Sequence, residues 1–312
     1  MARTCALLLG LLATAHASVV HFQRRVSASS FSSLVVFGDS FSDNGNGSAR
    51  VSNAVNENQT HQSPSYDGRF SNGIVWAEYV AGNLSIPLYD YAVGGATTSN
   101  ELIQGFTGPQ ATIAVPSVVD QIVSFLGKTT PKGASFSTSD TTAMATPLFV
   151  LFAGANDILF NSNISASQSY QVLTRAQSQL RDAYPTAEVL TISPPDLARL
   201  PYGFYADDLA KQQLETFTDL LGNLLSVSGS KAANVDLRPL FDDFEYYSSP
   251  KEHGFSPLGK YGSCLVGAYG ETPNVTICGD AERQVYWDEY HPTTHAHSWI
   301  ARRVLDVLSG PF

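Results

Sequence analysis

The sequence predicts an α/β fold, with one parallel β-sheet covered by helices on both faces. Two observations predict it. Runs such as Leu34-Val35-Val36-Phe37 and Leu148-Phe149-Val150-Leu151-Phe152 are continuously apolar rather than alternating, the pattern of strands buried on both sides. Such runs alternate with segments of helical spacing, the order expected when parallel strands are joined by crossover helices. No internal repeat, low-complexity tract or long linker divides the chain, so a single domain is expected from residue 34 to 312.

Leu34–Phe37 is the first strand. Gly73–Leu84 has Val75, Tyr79 and Val80 at helical spacing. Leu88–Val93 is the second strand. Ser117–Leu126 is a helix with Val118, Ile122 and Phe125 on one face. Leu148–Phe152 is the clearest strand. Ser167–Tyr184 is a helix stopped by Pro185, since proline cannot continue the hydrogen-bond ladder. Glu188–Ser193 is a strand closed by Pro194-Pro195. Ala206–Leu225 is a long helix, Asn234–Leu237 a fifth strand, and Thr294–Leu308 a closing helix capped by Thr293 or Thr294.

Composition narrows the function classes. Of 312 residues, 43% are hydrophobic and 15% charged, enough apolar content to build a sizeable core. The formal net charge of −10, from 18 Lys and Arg against 28 Asp and Glu, has the wrong sign for a nucleic-acid or anionic-membrane binder. Nothing calls for an obligate protein partner, and a monomer is expected. The first 17 residues read as a secretory signal: Arg3, a short apolar run over Ala6–Thr14, and an Ala15-His16-Ala17 cleavage site. The run is well short of the ~20 residues a spanning helix needs. The expected product is therefore secreted and extracellular, with residues 18–33, Ser-rich and carrying Arg24-Arg25, as a flexible lead-in or short pro-segment.

Cysteine usage agrees with secretion. Cys5 leaves with the signal, and Cys264 and Cys278 remain as an expected disulfide. Five N-x-[ST] sequons, at Asn46, Asn58, Asn83, Asn163 and Asn274, argue for glycosylation. Asn46 ranks last among them, because it lies six residues past the candidate site residue Ser40 and a glycan there would crowd the mouth.

Ligand sites in open parallel sheets lie outside the carboxyl ends of the strands. The residues that follow the strands are therefore the informative ones. After the first strand comes Gly38-Asp39-Ser40, where Gly38 permits a sharp turn and Ser40 offers a nucleophilic hydroxyl near a helix start. After the second come Gly94-Gly95, whose backbone N–H groups lack side-chain cover and suit a developing oxyanion. After the third comes Ala153-Gly154-Ala155-Asn156-Asp157, with the Asn156 amide as a further donor. Near the C-terminus, Asp288 precedes His291 by three residues, a spacing that lets a carboxylate fix the imidazole tautomer. Taken singly, these are what a helix cap, a tight turn, an Asx turn and a surface pair look like. Together they supply a nucleophile, a base, its orienter and oxyanion donors, all where the fold rule puts a site.

In that order, Phe37-Gly38-Asp39-Ser40, Gly95, Gly154-Ala155-Asn156-Asp157 and Asp288-x-x-His291 resemble the GDSL family of the SGNH hydrolases. The text FGDSFSDNGN, DYAVGGATT and WDEYHPTTHAH resembles its secreted fungal branch, and GGATT is similar to the acetylesterases of carbohydrate esterase family sixteen. The resemblance implies a flavodoxin-like three-layer α/β/α sandwich around a five-stranded parallel sheet. It implies Ser40 as nucleophile, His291 as base and Asp288 as its partner. The oxyanion donors would be Ser40 N–H, Gly95 rather than Gly94, and Asn156. Neither metal nor cofactor is called for.

The expected substrate is a short-chain, above all acetyl, ester on plant-wall carbohydrate. An acyl-lipid or phospholipid ester is the alternative, since relatives with the same blocks hydrolyse lipids. Asp39, Trp287 and Tyr290 are candidate substrate contacts. Two further classes compete. A metal hydrolase would use the dense group Asp288, His291, His295 and His297, but the H-E-x-x-H pattern is missing. A non-catalytic glycan binder would use the aromatics around Trp287 and Tyr202, which more often simply pack.

Overall fold

The computed structural model describes residues 31–47, 66–108, 111–127, 144–227, 233–268 and 275–309. The expected signal over 1–17, the Arg24-Arg25 pair and the sequons at Asn58 and Asn274 lie outside the described residues. Five parallel strands form the central sheet: β1 (Ser33–Gly38), β2 (Leu88–Asp90), β5 (Pro147–Phe152), β6 (Glu188–Ser193) and β7 (Ala233–Asp236), in the spatial order β2-β1-β5-β6-β7. Two short strand pairs, β3 (Gly105–Thr107) with β4 (Ile113–Val115) and β8 (Leu265–Val266) with β9 (Thr276–Ile277), stand apart from it. The continuous apolar runs belong where the sequence put them: every residue of β1 and of β5 is buried.

The helices around the sheet include α1 (Trp76–Leu84), α2 (Val118–Leu126), α3 (Ala155–Phe160), α4 (Ala166–Ala183), α5 (Pro201–Tyr205), α6 (Asp208–Val227), α7 (Arg238–Asp243) and α8 (Thr294–Ser309). α1 packs on α8, while α4 packs on both α2 and α6. Right-handed crossovers require this division. The β1-to-β2 step runs one way across the sheet and every later step runs the other, so α1 falls on the face opposite α2, α4 and α6. Three layers result.

Strand order reverses between β1 and β5. That point is where flavodoxin-type sheets open a crevice at their carboxyl ends, and the chain's Ser40 and Asn156 follow those two strands. Several boundaries differ from the sequence reading. Phe31 is buried, Ser32 and Thr146 exchange hydrogen bonds (Ser32 N–H to Thr146 O and Thr146 N–H to Ser32 Oγ, both 3.0 Å), and β1 opens at Ser33. Residues 31–33 therefore belong to the fold and not to a lead-in. β2 ends at Asp90, because Tyr91 and Val93 continue only as single N–H contacts to Val36 O and Gly38 O. Cys264 and Cys278 are disulfide-bonded, joining the residue before β8 to the residue after β9. Among the described residues no helix is long and apolar enough to cross a membrane.

Candidate active site

Ser40 stands two residues past β1, in a single helical turn in which Asp39 O accepts the N–H groups of Ser42 and Asp43, both at 3.0 Å. It is not at the start of a helix. Gly38 is needed for approach, not for a left-handed turn: a Cβ there would lie 2.5 Å from Phe152 O on the neighbouring strand. Gln121 of α2 fixes the spot from below, exchanging hydrogen bonds with Gly38 N and O at 2.9 Å each.

His291 reaches this turn from a loop that precedes α8. Its Nε2 lies 2.7 Å from Ser40 Oγ. Its Nδ1 lies 2.8 Å from both carboxylate oxygens of Asp288, and Asp288 Oδ1 also accepts the backbone N–H groups of Tyr290 and His291 at 2.8 Å. The acceptor role of Asp288 assigns the proton to Nδ1, leaving Nε2 to accept from the serine hydroxyl. Burial pushes the Asp288 carboxyl up, but the charge and hydrogen bond of His291 and the two backbone donors outweigh it, and the group lies below the usual carboxylate range. Ser40 is 7% and His291 6% exposed, so both members of the pair are buried. The Phe70 ring, 5.0 Å from His291, and Tyr290, 6.0 Å from it, flank the imidazole.

Three candidate donors lie on the loops that follow β1, β2 and β5. Among the described residues neither Ser40 N–H nor Gly95 N–H has a protein acceptor. Gly94 N–H is different, since Asp43 Oδ2 takes it at 2.6 Å. Of the two glycines, then, Gly95 carries the free donor. Its φ is +84°, and a Cβ would fall 1.8 Å from Phe106 O of β3, so only glycine fits. The Asn156 amide gives one hydrogen to Ala96 O at 3.0 Å, which holds it beside the Gly95 loop and leaves its second hydrogen without a protein acceptor among the described residues.

Two candidate contacts are corrected. Asp39 is 1% exposed, and its Oδ1 accepts Phe41 N–H at 3.0 Å. It serves the serine turn from inside, and burial pushes its carboxyl up to about 7. Trp287 is 3% exposed and packs with Cys264 and Leu265 at the disulfide. Tyr290 remains half-exposed, stacked on Tyr202 with ring centroids 4.8 Å apart. The histidine cluster does not gather on one point. His295 Nδ1 is 2.5 Å from Glu282 O, and His297 Nδ1 accepts Trp76 N–H at 3.3 Å. His297 is wholly buried, and desolvation, followed by the nearby His291, holds its pKa down to about 3.

Of the described sequons, Asn83 and Asn163 are exposed. Asn46 spends both amide hydrogens internally, on Asp90 O and Ala92 O at 3.0 Å each, so a glycan on that nitrogen would displace one of these bonds. The sequence reading gave no role to Asp43, Phe70, Thr98, Gln121 or Asp157. Asp43 and Asp157 stand inside the quoted motifs, but Gly94, which Asp43 holds, and Thr98, which Asp157 holds, lie 51 and 59 residues away.

The GDSL-like lipase/acylhydrolase family profile matches residues 34–304. The thermolabile hemolysin of Vibrio parahaemolyticus is 28% identical over 88% of this chain, which spans only 63% of the hemolysin. An acetylesterase of Hypocrea jecorina is 24% identical over 90% of this chain and 89% of its own length. Among solved structures, a carbohydrate esterase family 2 enzyme of Myceliophthora fergusii with its carbohydrate-binding domain has a TM-score of 0.47 at 15% identity, covering 94% of this chain and 66% of that one. With the profile spanning nearly the whole described chain, this protein belongs to the GDSL-like lipase/acylhydrolase family of SGNH hydrolases.

Proposed function

We propose that this chain is a secreted serine esterase that removes short acyl groups, acetyl above all, from plant-wall carbohydrate. The hydrogen-bonded series Asp288–His291–Ser40, at 2.8 and 2.7 Å, carries the reading. As Ser40 Oγ attacks the ester carbonyl, His291 Nε2 takes its proton and Asp288 stabilises the imidazolium. The carbonyl oxygen becomes an oxyanion held by Ser40 N–H, Gly95 N–H and the Asn156 amide. The tetrahedral intermediate collapses, His291 returns the proton to the departing alcohol, and an acyl-Ser40 ester remains. Water, deprotonated by His291, hydrolyses it by the same steps in reverse.

The acetyl preference rests on the GGATT text and on the resemblance to the Hypocrea jecorina acetylesterase. The low exposure of the nucleophile, 7%, supports it. A second reading, longer acyl esters, is favoured by the exposed aromatics Tyr202, Phe204 and Tyr205 on α5 next to Tyr290. Secretion rests on the reading of residues 1–17 and on the Cys264–Cys278 disulfide, which suits an oxidising compartment.

The test compares kcat/KM on acetyl, butyryl and octanoyl esters of p-nitrophenol and acetate release from acetylated xylo-oligosaccharide. The proposal expects rates to fall steadily with chain length and acetate to be released. A maximum at octanoyl with no acetate release would replace it by the second reading.

A further inference from the structure

The donor set needs three loops in register: 38–47 after β1, 91–98 after β2 and 153–157 after β5. The middle loop leaves the sheet at Val93 and carries Gly95. It is held on both sides of Gly95 by a buried carboxylate from each neighbouring loop. On one side is Asp43, 0% exposed. Its Oδ1 accepts Gly45 N–H at 2.8 Å and Asn46 N–H at 2.6 Å; its Oδ2 accepts Gly47 N–H at 2.8 Å and Gly94 N–H at 2.6 Å. Three of these donors belong to its own loop, and the fourth lies 51 residues away, immediately before Gly95. On the other side is Asp157, 1% exposed. Its Oδ1 accepts Thr98 N–H at 2.8 Å, and its Oδ2 accepts the Thr98 hydroxyl at 2.6 Å and the Ser169 hydroxyl at 2.5 Å.

We infer that Asp43 and Asp157 are paired positioning residues that set the oxyanion hole, Asp43 by consuming Gly94 N–H so that Gly95 N–H is the one left for the substrate, and Asp157 by fixing Thr98 and with it the far end of the same loop. The inference deepens the esterase reading and rests on it. Neither carboxylate touches the reacting atoms. Close packing supports the assignment: a Cβ on Gly47 would lie 2.6 Å from Asp43 Oδ2, and a Cβ on Gly94 would lie 2.2 Å from the Phe70 ring that covers His291.

The two carboxylates differ in a way that makes the inference testable. Asp43 is saturated by four backbone N–H groups, and none of them can reverse its role. An asparagine there turns an NH2 group against two donors. Two of the three partners of Asp157 are hydroxyls, which rotate to accept from an amide. A carboxylate acting only through its charge would not distinguish the two replacements.

The experiment measures kcat and KM on p-nitrophenyl acetate for full-length wild type, Asp43→Asn, Asp157→Asn and Asp157→Ala, with Tm and with Ki for methylboronic acid, whose tetrahedral adduct on a serine oxygen needs the same donors. Expected are a loss of about 10²-fold in kcat for Asp43→Asn, comparable to losing one oxyanion donor, at nearly constant KM and with a parallel rise in Ki. Asp157→Asn should stay within about fivefold of wild type by the hydroxyl argument, and Asp157→Ala should fall well below it. If Asp43→Asn does not fold, Gly47→Ala displaces the same oxygen and should lower kcat while keeping KM. Asp43→Asn or its substitute within threefold of wild type, or equal losses in both asparagine variants, would overturn the inference. A wild-type protein inert on the ester overturns the esterase reading, and this inference with it.

Discussion

Replacing Gly95 by alanine puts a methyl group 1.8 Å from Phe106 O and 2.7 Å from Phe106 C. Real Cβ atoms essentially never come closer than 3.0 Å to such an atom, so the loop or strand β3 must move by about 1.2 Å. Both are backbone, and neither can swing aside as a long side chain does. The φ of +84° adds strain, of order 1–3 kcal/mol for a residue with a side chain. A displacement near 1 Å at a reacting centre costs on the order of 10²-fold in rate, and outright loss of an oxyanion donor costs about 10²–10³. Gly95→Ala should therefore lose about 10²-fold or more in kcat on p-nitrophenyl acetate, with a lowered Tm. Gly82→Ala is the control. Gly82 is exposed on α1, and a Cβ there has nothing within 4 Å, so helix propensity should add about 0.5–1 kcal/mol of stability with no change in rate. Gly95→Ala with kcat within threefold of wild type would refute the assignment of its N–H.

Reduction of Cys264–Cys278, or its replacement by two serines, should cost about 3 kcal/mol on the loop-entropy estimate for a separation of 14 residues, read as a fall in Tm with and without reductant. Asp39 makes a pH-dependent contribution. Burial raises its carboxyl to about 7 in the folded chain, whereas an unfolded aspartate titrates near 3.9, so its stabilising proton is fully present below about pH 4 and lost as pH rises through about 7. Asp39→Asn should thus be more stable than wild type at pH 8, by up to about 4 kcal/mol, and the difference should vanish towards pH 4. An unchanging difference in calorimetry would contradict this. Buried His297, held at about 3, acts in the opposite sense, withdrawing stability as pH falls below about 6.5, so the variant-minus-wild-type difference is the quantity to read. An excess of chelator should leave ester hydrolysis unchanged, because the proposed route uses only side chains and backbone donors; abolished activity restored by zinc would favour the metal reading.

What was legible in the sequence follows the physics of burial. β1 and β5 announce themselves because strands covered on both faces leave no room for polar alternation, whereas β6, which contains Glu188, Thr191 and Ser193, is marked by the Pro194-Pro195 that closes it. α2 shows Val118, Ile122 and Phe125 on one face, and α4 ends just before Pro185. Three blocks of the candidate site could be read because they follow strands of the parallel sheet at its carboxyl edge, and the fourth from the three-residue spacing of Asp288 and His291. β3 and β4 could not: three-residue strands have no period to detect, yet Phe106 in β3 is what excludes a side chain at Gly95. α3 and α7, at six residues each, are likewise too short for helical spacing to emerge. Residue type also does not reveal which way a side chain points. Asp39 and Trp287 look like surface contacts beside the motifs, and both turn inward. Asp43 and Asp157 were hidden for another reason: their meaning lies in Gly94 and Thr98, 51 and 59 residues distant.

The central claim is that Ser40 is the nucleophile and His291 its base. Incubation with a fluorophosphonate, followed by intact-mass measurement and peptide mapping, tests it most directly. A single adduct on Ser40, absent from Ser40→Ala and formed far more slowly in His291→Gln, is the predicted result. An adduct on another residue, or Ser40→Ala hydrolysing p-nitrophenyl acetate at the wild-type rate, would contradict it.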